Sequence, residues 1–296
     1  MQTILLGAMA LASTLNSRSP GSELSLQVEV KSAAYAVRIV ERDQWAIAPR
    51  GEKFLVVNLG VSNRGSTPVE YSAQAISLSV VDPENGSPVE SSIARSGLSS
   101  FAEIPAGAAK TDTVVLEVPS NLRKAALKTI TPTETRTIDL GPKLRPVTGA
   151  YLFDGGNSAV DEVLGNRGQD VPVGVWDIRM ERVLETRQSP HPYLFATEAE
   201  RFVMVEVTCK NVLSTTRTLD KSGFRSNVID TDGTYHPWNR YMLDKAGKDV
   251  VAIELKPGKS ATVVLPFILT KNFKPKTLRI TDPISGRAAM IDLTRT

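Results

Sequence analysis

The sequence repeats itself across its midpoint. GEKFLVVNLGVSN at residues 51–63 and AERFVMVEVTCKN at residues 199–211 both place Glu, a basic residue and Phe at their start and Asn at their end. The offset is 211 − 63 = 148 residues, which is half of the 296-residue chain. A repeat of this length indicates a duplicated unit of domain size. We therefore expect two copies of one fold.

The similarity continues beyond these two stretches. Asp82 and Asp230 each open a turn, in VVDPENGS and VIDTDGTY, at the same offset of 230 − 82 = 148. Further on, TDTVVLEV in the first copy matches SATVVLPF in the second, and each copy ends on Ile-Asp-Leu, at residues 138–140 and 291–293. These limits predict one domain over residues 21–140 and another over residues 171–296.

The hydrophobic pattern has a period of two residues, which is typical of strands with one face in a core. The face predicted to be buried has the same four positions in each copy: Leu55, Val57, Leu59 and Val61, then Val203, Val205, Val207 and Cys209. Turn sequences such as PENG, TDG and KPG separate the short apolar runs. We therefore expect an all-β chain of two tandem antiparallel β-sandwich domains.

A segment rich in Gly, Pro and Asn, residues 141–170, should link the two domains. Within it, SAVDEVLG at residues 158–165 predicts one short helix. Ser158 would cap its start, Asp161 would complete the capping pattern and Gly165 would close its end.

The first residues are typical of an exported chain. An apolar run at residues 4–12 ends in Ala10-Leu11-Ala12, a small-x-small pattern, so residues 1–20 are predicted to be a signal peptide and leader. No Lys or Arg precedes the run, and an extra N-terminal strand or a misassigned start codon are the alternatives. We expect a periplasmic, extracellular or cell-surface location. No other segment is apolar and long enough to span a membrane.

Composition excludes several classes of function. The formal net charge is +3 and the charges are interspersed, which does not favour nucleic-acid binding. A single cysteine, Cys209, rules out an internal disulfide and is predicted to be a buried apolar residue. Two isolated histidines and no cysteine pair predict no metal site, no cofactor and no catalytic triad.

Two acidic arrangements are weaker candidates. The turn Asp230-Thr-Asp232-Gly233 holds part of a calcium-loop pattern but too few acidic positions, so we interpret it as a tight turn. Glu198 or Glu200 with Asp230 or Asp232 could form a carboxylate pair for glycan hydrolysis. Carboxylates facing each other across a cleft would favour the enzyme, and carboxylates bonded to local amides would favour a non-catalytic module. A passive spacer for a partner protein is a third alternative.

Two aromatic loops distinguish the second copy from the first, QSPHPYLF at residues 188–195 and TYHPWNRY at residues 234–241. Aromatic rings with polar neighbours suit a sugar or a protein partner, whereas rings that fold inward would only cap the core. The strand after the first loop and the strand before the second are expected to be antiparallel, so both loops should lie at one end of the second sandwich and form a ligand site there. The candidate residues are His191, Tyr193, Tyr235, His236, Trp238 and Arg240, and the predicted partner is a cell-wall glycan or a surface protein.

The chain resembles the telokin-like extracellular domains of bacteria, a family of unknown function. FLVVNLGVSN, VVDPENG and AGAAKTDTVVLEVP carry the resemblance in the first copy, and FVMVEVTCKN, VIDTDG and KPGKSATVVLPF carry it in the second. The first copy departs from the pattern because Ala106, not Pro, precedes Gly107. The resemblance implies an immunoglobulin-like fold in each domain, a secreted or surface-attached protein and no catalytic residues.

Overall fold

The computed structural model describes residues 26–41, 44–71, 76–96, 102–131 and 134–294. The predicted leader, residues 1–20, lies outside these ranges. Within them the regular secondary structure is almost entirely β-strand, and no α-helix occurs in the described part. The all-β prediction is confirmed.

The first half contains eleven strands among the described residues. They are β1 Leu26–Ala36, β2 Arg38–Glu41, β3 Gln44–Ile47, β4 Glu52–Asn63, β5 Val69–Tyr71, β6 Ser77–Val81, β7 Ser92–Ser96, β8 Ala102–Ile104, β9 Ala109–Pro119, β10 Ala126–Ile130 and β11 Thr135–Asp139. A sheet in the order β1-β4-β9-β7, extended beside β1 by the joint strand β12 (Leu144–Arg145), faces a sheet in the order β11-β10-β6. The strands β2-β3 and β5-β8 form smaller pairs.

The joint and the second half contain the remaining strands. They are β12 Leu144–Arg145, β13 Leu152–Phe153, β14 Ser158–Ala159, β15 Glu162–Gly165, β16 Asp170–Val173, β17 Trp176–Thr186, β18 Glu200–Asn211, β19 Arg217–Asp220, β20 Arg225–Asp230, β21 Tyr235–Pro237, β22 Ala252–Leu255, β23 Ser260–Thr270, β24 Pro275–Thr281 and β25 Ala288–Asp292. Two short 3-10 turns, Gly141–Lys143 and Asp154–Gly156, lie in the joint. The second half pairs a sheet in the order β16-β17-β18-β23 with a sheet in the order β15-β25-β24-β20-β21.

Each half encloses its own apolar core between its two sheets. The first core includes Leu55 and Leu59 of β4 and Leu127 of β10, and the second includes Val205 of β18 and Leu278 of β24. All eight positions predicted to face a core are fully buried, Cys209 among them. This arrangement makes each half a β-sandwich, as expected from the alternation of side chains along a strand.

The repeat also holds in structural detail. β4 spans residues 52–63 and β18 spans residues 200–211, which is an offset of 148 at both ends. The first long strand of each half, β1 and β17, has one shift in its pairing register. The shift lies between Val30 and Ser32 in β1 and between Met180 and Arg182 in β17. The extra residue of a bulge bends its strand, so both halves bend at the same point.

The predicted helix at residues 158–165 is wrong. Residues 158–159 form β14 and residues 162–165 form β15, which runs parallel to β25 at the edge of the second sandwich. Val163 is buried in the second core, and a Cβ on Gly165 would stand 2.5 Å from a methyl carbon of Val171. This pairing with a strand over 120 residues later outweighs a local capping pattern, and Asp161 instead pairs with Arg287.

A difference between the halves lies on the outer face of β4 and β18. In the first half, Ile39 and Ala46 of the β2-β3 hairpin pack near Phe54 and Val115 of that face. In the second half, the chain between β17 and β18 is an irregular loop, residues 187–199. The aromatic residues predicted to bind a ligand begin in this loop.

Candidate functional site

The strand registers bring several strand ends together at one end of the second sandwich. Glu200 of β18 pairs with Thr270 of β23, and Asp230 of β20 pairs with Pro275 of β24. The main-chain amide of Thr231 donates to the carbonyl oxygen of Lys274 at 3.0 Å. The loop before β18 and the segment after β20 therefore start from the same end. They do so although β18 and β20 lie in different sheets, with β19 between them in sequence.

The loop at residues 188–195 presents two aromatic side chains to solvent. Leu194 is buried, whereas its neighbours Tyr193 and Phe195 are 74% and 78% exposed. The Ser189 hydroxyl lies 2.6 Å from the carbonyl oxygens of both His191 and Leu194. A buried anchor and local hydrogen bonds hold the loop, so both rings are exposed on a fixed backbone.

This loop packs against the segment that follows Arg240. The ring centroid of His191 lies 5.5 Å from that of Tyr193 and 4.8 Å from that of Tyr241. The Lys221 ammonium lies 5.1 Å from the Tyr241 ring centroid. We call the surface formed by His191, Tyr193, Phe195 and Tyr241 the aromatic loop surface.

Tyr235 and His236 belong to a second group, on β21. Tyr235 is 57% exposed, whereas the His236 ring lies 5.5 Å from that of Phe273, and its Nε2 lies 2.8 Å from an Asp230 carboxylate oxygen. The hydrogen bond from His236, with those from the amides of Thr234 and Asp232, lowers the pKa of Asp230. This group stabilises the turn after β20.

Trp238 does not present its ring to solvent, which corrects its place among the candidate binding residues. It is only 7% exposed, stacks on Phe224 at 5.5 Å between centroids, and bridges to Phe267 of β23. Its indole Nε1 donates to the carbonyl oxygen of Tyr241 at 2.8 Å. Burial of a large ring with its polar atom satisfied is the stable outcome for tryptophan, so Trp238 caps the core, the alternative considered for these rings.

Arg240 is exposed and has a main-chain φ of 60°. Few residues other than glycine adopt this left-handed conformation. Within the described part of the chain its guanidinium has no hydrogen-bond or ion-pair partner. The structure thus places His191 and Tyr193 together beside Tyr241, with Arg240 adjacent in the chain. Tyr235 and His236 lie in the second group, and Trp238 lies in the core.

Two of the four carboxylates considered for hydrolysis, Glu200 and Asp230, are bonded to nearby groups. Glu200 accepts hydrogen bonds from the amide and hydroxyl of Thr197, at 2.9 and 2.8 Å, which lower its pKa. Asp230 accepts from the amides of Asp232 and Thr234, each at 2.9 Å. By the criterion given above, carboxylates bonded to local amides favour a non-catalytic module. No group of three or more metal-ligating side chains occurs among the described residues.

An acidic pocket in the first half was not predicted from the sequence. It has a volume of approximately 420 Å³, and its lining includes Glu52, Glu90, Glu117 and Arg50. Burial raises the pKa of Glu52, and the charges of Glu117 and Glu90 raise it further. The Ser92 hydroxyl donates to Glu117 at 2.7 Å. These residues lie far apart in the sequence, and only the pairing of β4, β7 and β9 brings them together.

Among the described residues, no helix is long and apolar enough to cross a lipid bilayer.

Comparison with known proteins gives a family match that covers most of the second half. Residues 165–290 match the model of a domain of unknown function, DUF4352. The comparison with curated proteins gave no match.

Several solved structures are similar to about half of the chain. An uncharacterised β-sandwich protein from Clostridium difficile is 10% identical over 45% of this chain and 96% of its own, with a TM-score of 0.33. The yjhA protein of Bacillus subtilis is 13% identical over 44% and 98%, with a TM-score of 0.30. A putative lipoprotein of Bacillus subtilis, ycdA, is 13% identical over 43% and 39%, with a TM-score of 0.32. Similarities of this size carry no argument about function.

Proposed function

We propose that this protein is an exported, non-catalytic binding module that recognises its partner through the aromatic loop surface of its second half. The partner is a cell-wall glycan or a protein at a bacterial surface. The halves, residues 21–140 and 171–296, act as two tandem immunoglobulin-like domains of the telokin-like extracellular type, joined by residues 141–170.

One observation carries the proposal. Tyr193 and Phe195 are exposed on both sides of a buried anchor, Leu194. Large aromatic side chains on a fixed loop supply contact area with little loss of conformational entropy on binding. Loops at the end of a rigid sandwich are a common place for recognition.

The first half gives an internal contrast that supports this assignment. The β2-β3 hairpin stands between its long strands, and Ile39 and Ala46 of that hairpin are turned toward its small outer core. The second half has replaced this hairpin with a loop that carries exposed rings. The same scaffold thus covers its outer face in one copy and displays aromatic side chains in the other.

Binding is tested with the double variant Tyr193→Ala/Phe195→Ala. We expect wild-type protein to sediment with isolated peptidoglycan sacculi or to capture a protein from a cell-surface extract. The double variant should lose at least about tenfold in affinity, since truncating central aromatic residues commonly costs over 1 kcal/mol. Phe153→Ala removes a ring that is 53% exposed in the joint and is the matched control. Equal binding by all three folded proteins would refute the proposed surface.

Export is tested separately by the mass of the protein recovered from its native host. Loss of the residues before about position 13 is expected if the leader is cleaved after its small-residue pattern. An intact Met1 on protein from the native host would refute export without affecting the binding assay.

A further inference from the structure

We propose that the ligand of the aromatic loop surface is an acidic polysaccharide, a sugar chain that carries carboxylate groups. This inference rests on the proposed binding function and specifies its ligand class. The charge distribution around the rings and the conformation of Arg240 favour this ligand class.

The two segments that carry the rings have an excess of positive charge. Residues 187–195 and 239–249 contain four basic residues, Arg187, Arg240, Lys245 and Lys248, and two acidic residues, Asp244 and Asp249. This gives 4 − 2 = +2 in the two segments together. Complementary charge favours a negatively charged partner and accelerates its association.

The carboxylates of these segments are already engaged. Asp244 accepts hydrogen bonds from the amides of Ala246 and Lys248, at 2.8 and 2.9 Å, and Asp249 lies 3.6 Å from the Lys221 ammonium. Glu206 lies on the strand beneath and pairs with Lys245 at 2.8 Å.

Free cations remain on the same surface. Arg187, Arg240 and Lys248 are exposed and have no ionic partner in the described part of the chain. Against these three cations stands one free carboxylate, that of Glu198, three residues after Phe195. The charges left for a ligand beside the rings are therefore mainly positive.

Arg240 has the most specific geometry. Its φ of 60° is strained for a residue with a side chain, and the next residue is Tyr241, which packs on His191. Strained backbone of this kind concentrates at ligand-binding positions. A guanidinium presents parallel N–H donors that match the two oxygens of a carboxylate, whereas aromatic faces receive the apolar face of a sugar ring. Alternating rings and carboxylates, as in a polymer of uronic acids, satisfy both requirements.

The test uses polygalacturonate and its fully methyl-esterified form, which share one sugar backbone and differ in charge. Wild-type protein should bind polygalacturonate at least about tenfold more tightly than the methyl ester. Salt should weaken the binding of polygalacturonate because exposed charges are screened. Arg240→Gln should lower affinity for polygalacturonate by about tenfold, as expected for one charge-assisted hydrogen bond, and should lower affinity for the ester much less. Arg136→Gln, an exposed arginine of β11, is the matched control.

Three outcomes would overturn the inference. Equal affinity for polygalacturonate and its ester would show that charge is not recognised. Binding of poly-L-glutamate as tight as that of polygalacturonate, and indifferent to Tyr193→Ala, would point to an acidic protein. No binding of polygalacturonate would exclude this ligand class. In each case the sacculus and surface-extract assay decides the proposed function independently, because it does not depend on the charge of one probe.

Discussion

The side chain of Arg287 in the second half donates a hydrogen bond from Nε to the carbonyl oxygen of Ala48 in the first half, at 2.8 Å. Its Nη2 donates to the carbonyl oxygen of Pro49 at 2.9 Å and also to that of Glu52. Its Nη1 lies 3.3 Å from the Asp161 carboxylate. Arg287 is fully buried, and this burial lowers the pKa of its guanidinium. One cation thus holds the β3-β4 turn, the joint and the β24-β25 turn together.

Replacement of Arg287 by methionine should therefore destabilise the protein strongly. Arg287→Met keeps much of the apolar volume but removes a donor from three carbonyl oxygens of the first half, of which that of Pro49 retains the amide of Glu52 at 3.2 Å. It also leaves Asp161 without its buried partner. We expect a loss of about 3 kcal/mol in the free energy of unfolding. Urea denaturation measures it, with Arg225→Met, at an exposed site on β20, as the control. Equal midpoints for the two variants would contradict this account of the interface.

The asparagine that ends β4 and β18 performs one task in both halves. Asn63 Nδ2 donates to the carbonyl oxygens of Thr67 and Ile104 at 2.7 and 3.0 Å, and Asn211 Nδ2 donates to those of Thr215 and Leu255 at 2.7 and 2.9 Å. The Oδ1 atom of each accepts an amide two residues further on.

We expect a loss of about 2 kcal/mol in the free energy of unfolding for each of Asn63→Ala and Asn211→Ala, because each leaves buried polar groups without partners. The sites lie in separate cores, so the costs should add in the double variant to within about 0.5 kcal/mol. Thermal or urea unfolding of the four proteins checks this. A harmless substitution at either position would show that the two asparagines are not equivalent.

The sequence predicted these features to different degrees. The offset of 148 places β4 and β18 at matching residues, because the alternation along a strand and its closing asparagine are local in the sequence. The helix predicted at residues 158–165 failed because the pairing of β15 with β25 is non-local. Trp238 was misplaced for a similar reason, since its burial depends on Phe224 and Phe267.

The acidic pocket also depends on contacts between residues that are far apart in the sequence. Glu52, Glu90 and Glu117 carry no common motif and meet only through the strand order β4-β9-β7. By contrast, the comparison of the two copies isolates the loop before β18 and singles out Tyr193, although it did not single out Phe195, whose exposure depends on how the loop folds. The repeat thus predicts the scaffold, and the differences between copies identify candidate binding residues.

Cys209 should not react with thiol reagents in the folded protein. It is fully buried on the core face of β18, and burial raises the pKa of its thiol to about 12, so the reactive thiolate is absent at neutral pH. Labelling with a coloured disulfide reagent should occur only in denaturant. Cys209→Val, which reproduces Val61 of the first half, should change stability by under about 1 kcal/mol. Cys209→Ser buries an unpaired hydroxyl and should cost about 2 kcal/mol. Rapid native labelling would contradict the burial.

Lys53 is a buried cation of the first half. Arg201 occupies the corresponding position in the second half. The Lys53 ammonium donates to the carbonyl oxygens of Leu122, Gly156 and Asn157, at 2.6, 3.2 and 2.7 Å, and lies 3.7 Å from the Tyr35 ring centroid. Arg201 donates to the carbonyl oxygen of Phe273 at 2.7 Å. The offset 273 − 122 = 151 equals that between the starts of β9 and β23, 260 − 109 = 151. Both side chains therefore bind the same turn.

This position should make stability depend on pH in the alkaline range. Burial, followed by the charge of Arg123, lowers the pKa of Lys53 to about 8 from an ordinary value of 10.5. Between these two values the unfolded chain holds a proton that the folded chain has released, so the free energy of unfolding rises with pH. The rise attributable to Lys53 is up to about 3 kcal/mol. Below pH 8 Lys53 is protonated in both the folded and the unfolded chain, so its contribution to stability no longer depends on pH.

Lys53→Arg isolates this effect, because a guanidinium does not titrate in the same range and Arg201 shows that the fold accepts arginine at the corresponding position. Urea denaturation between pH 7 and pH 10.5 should show the wild type gaining stability relative to Lys53→Arg, chiefly above pH 8. Lys256→Arg, at an exposed position beside β22, controls for the general effect of the substitution. Profiles that stay parallel across the whole range would mean that Lys53 keeps an ordinary pKa in the folded protein.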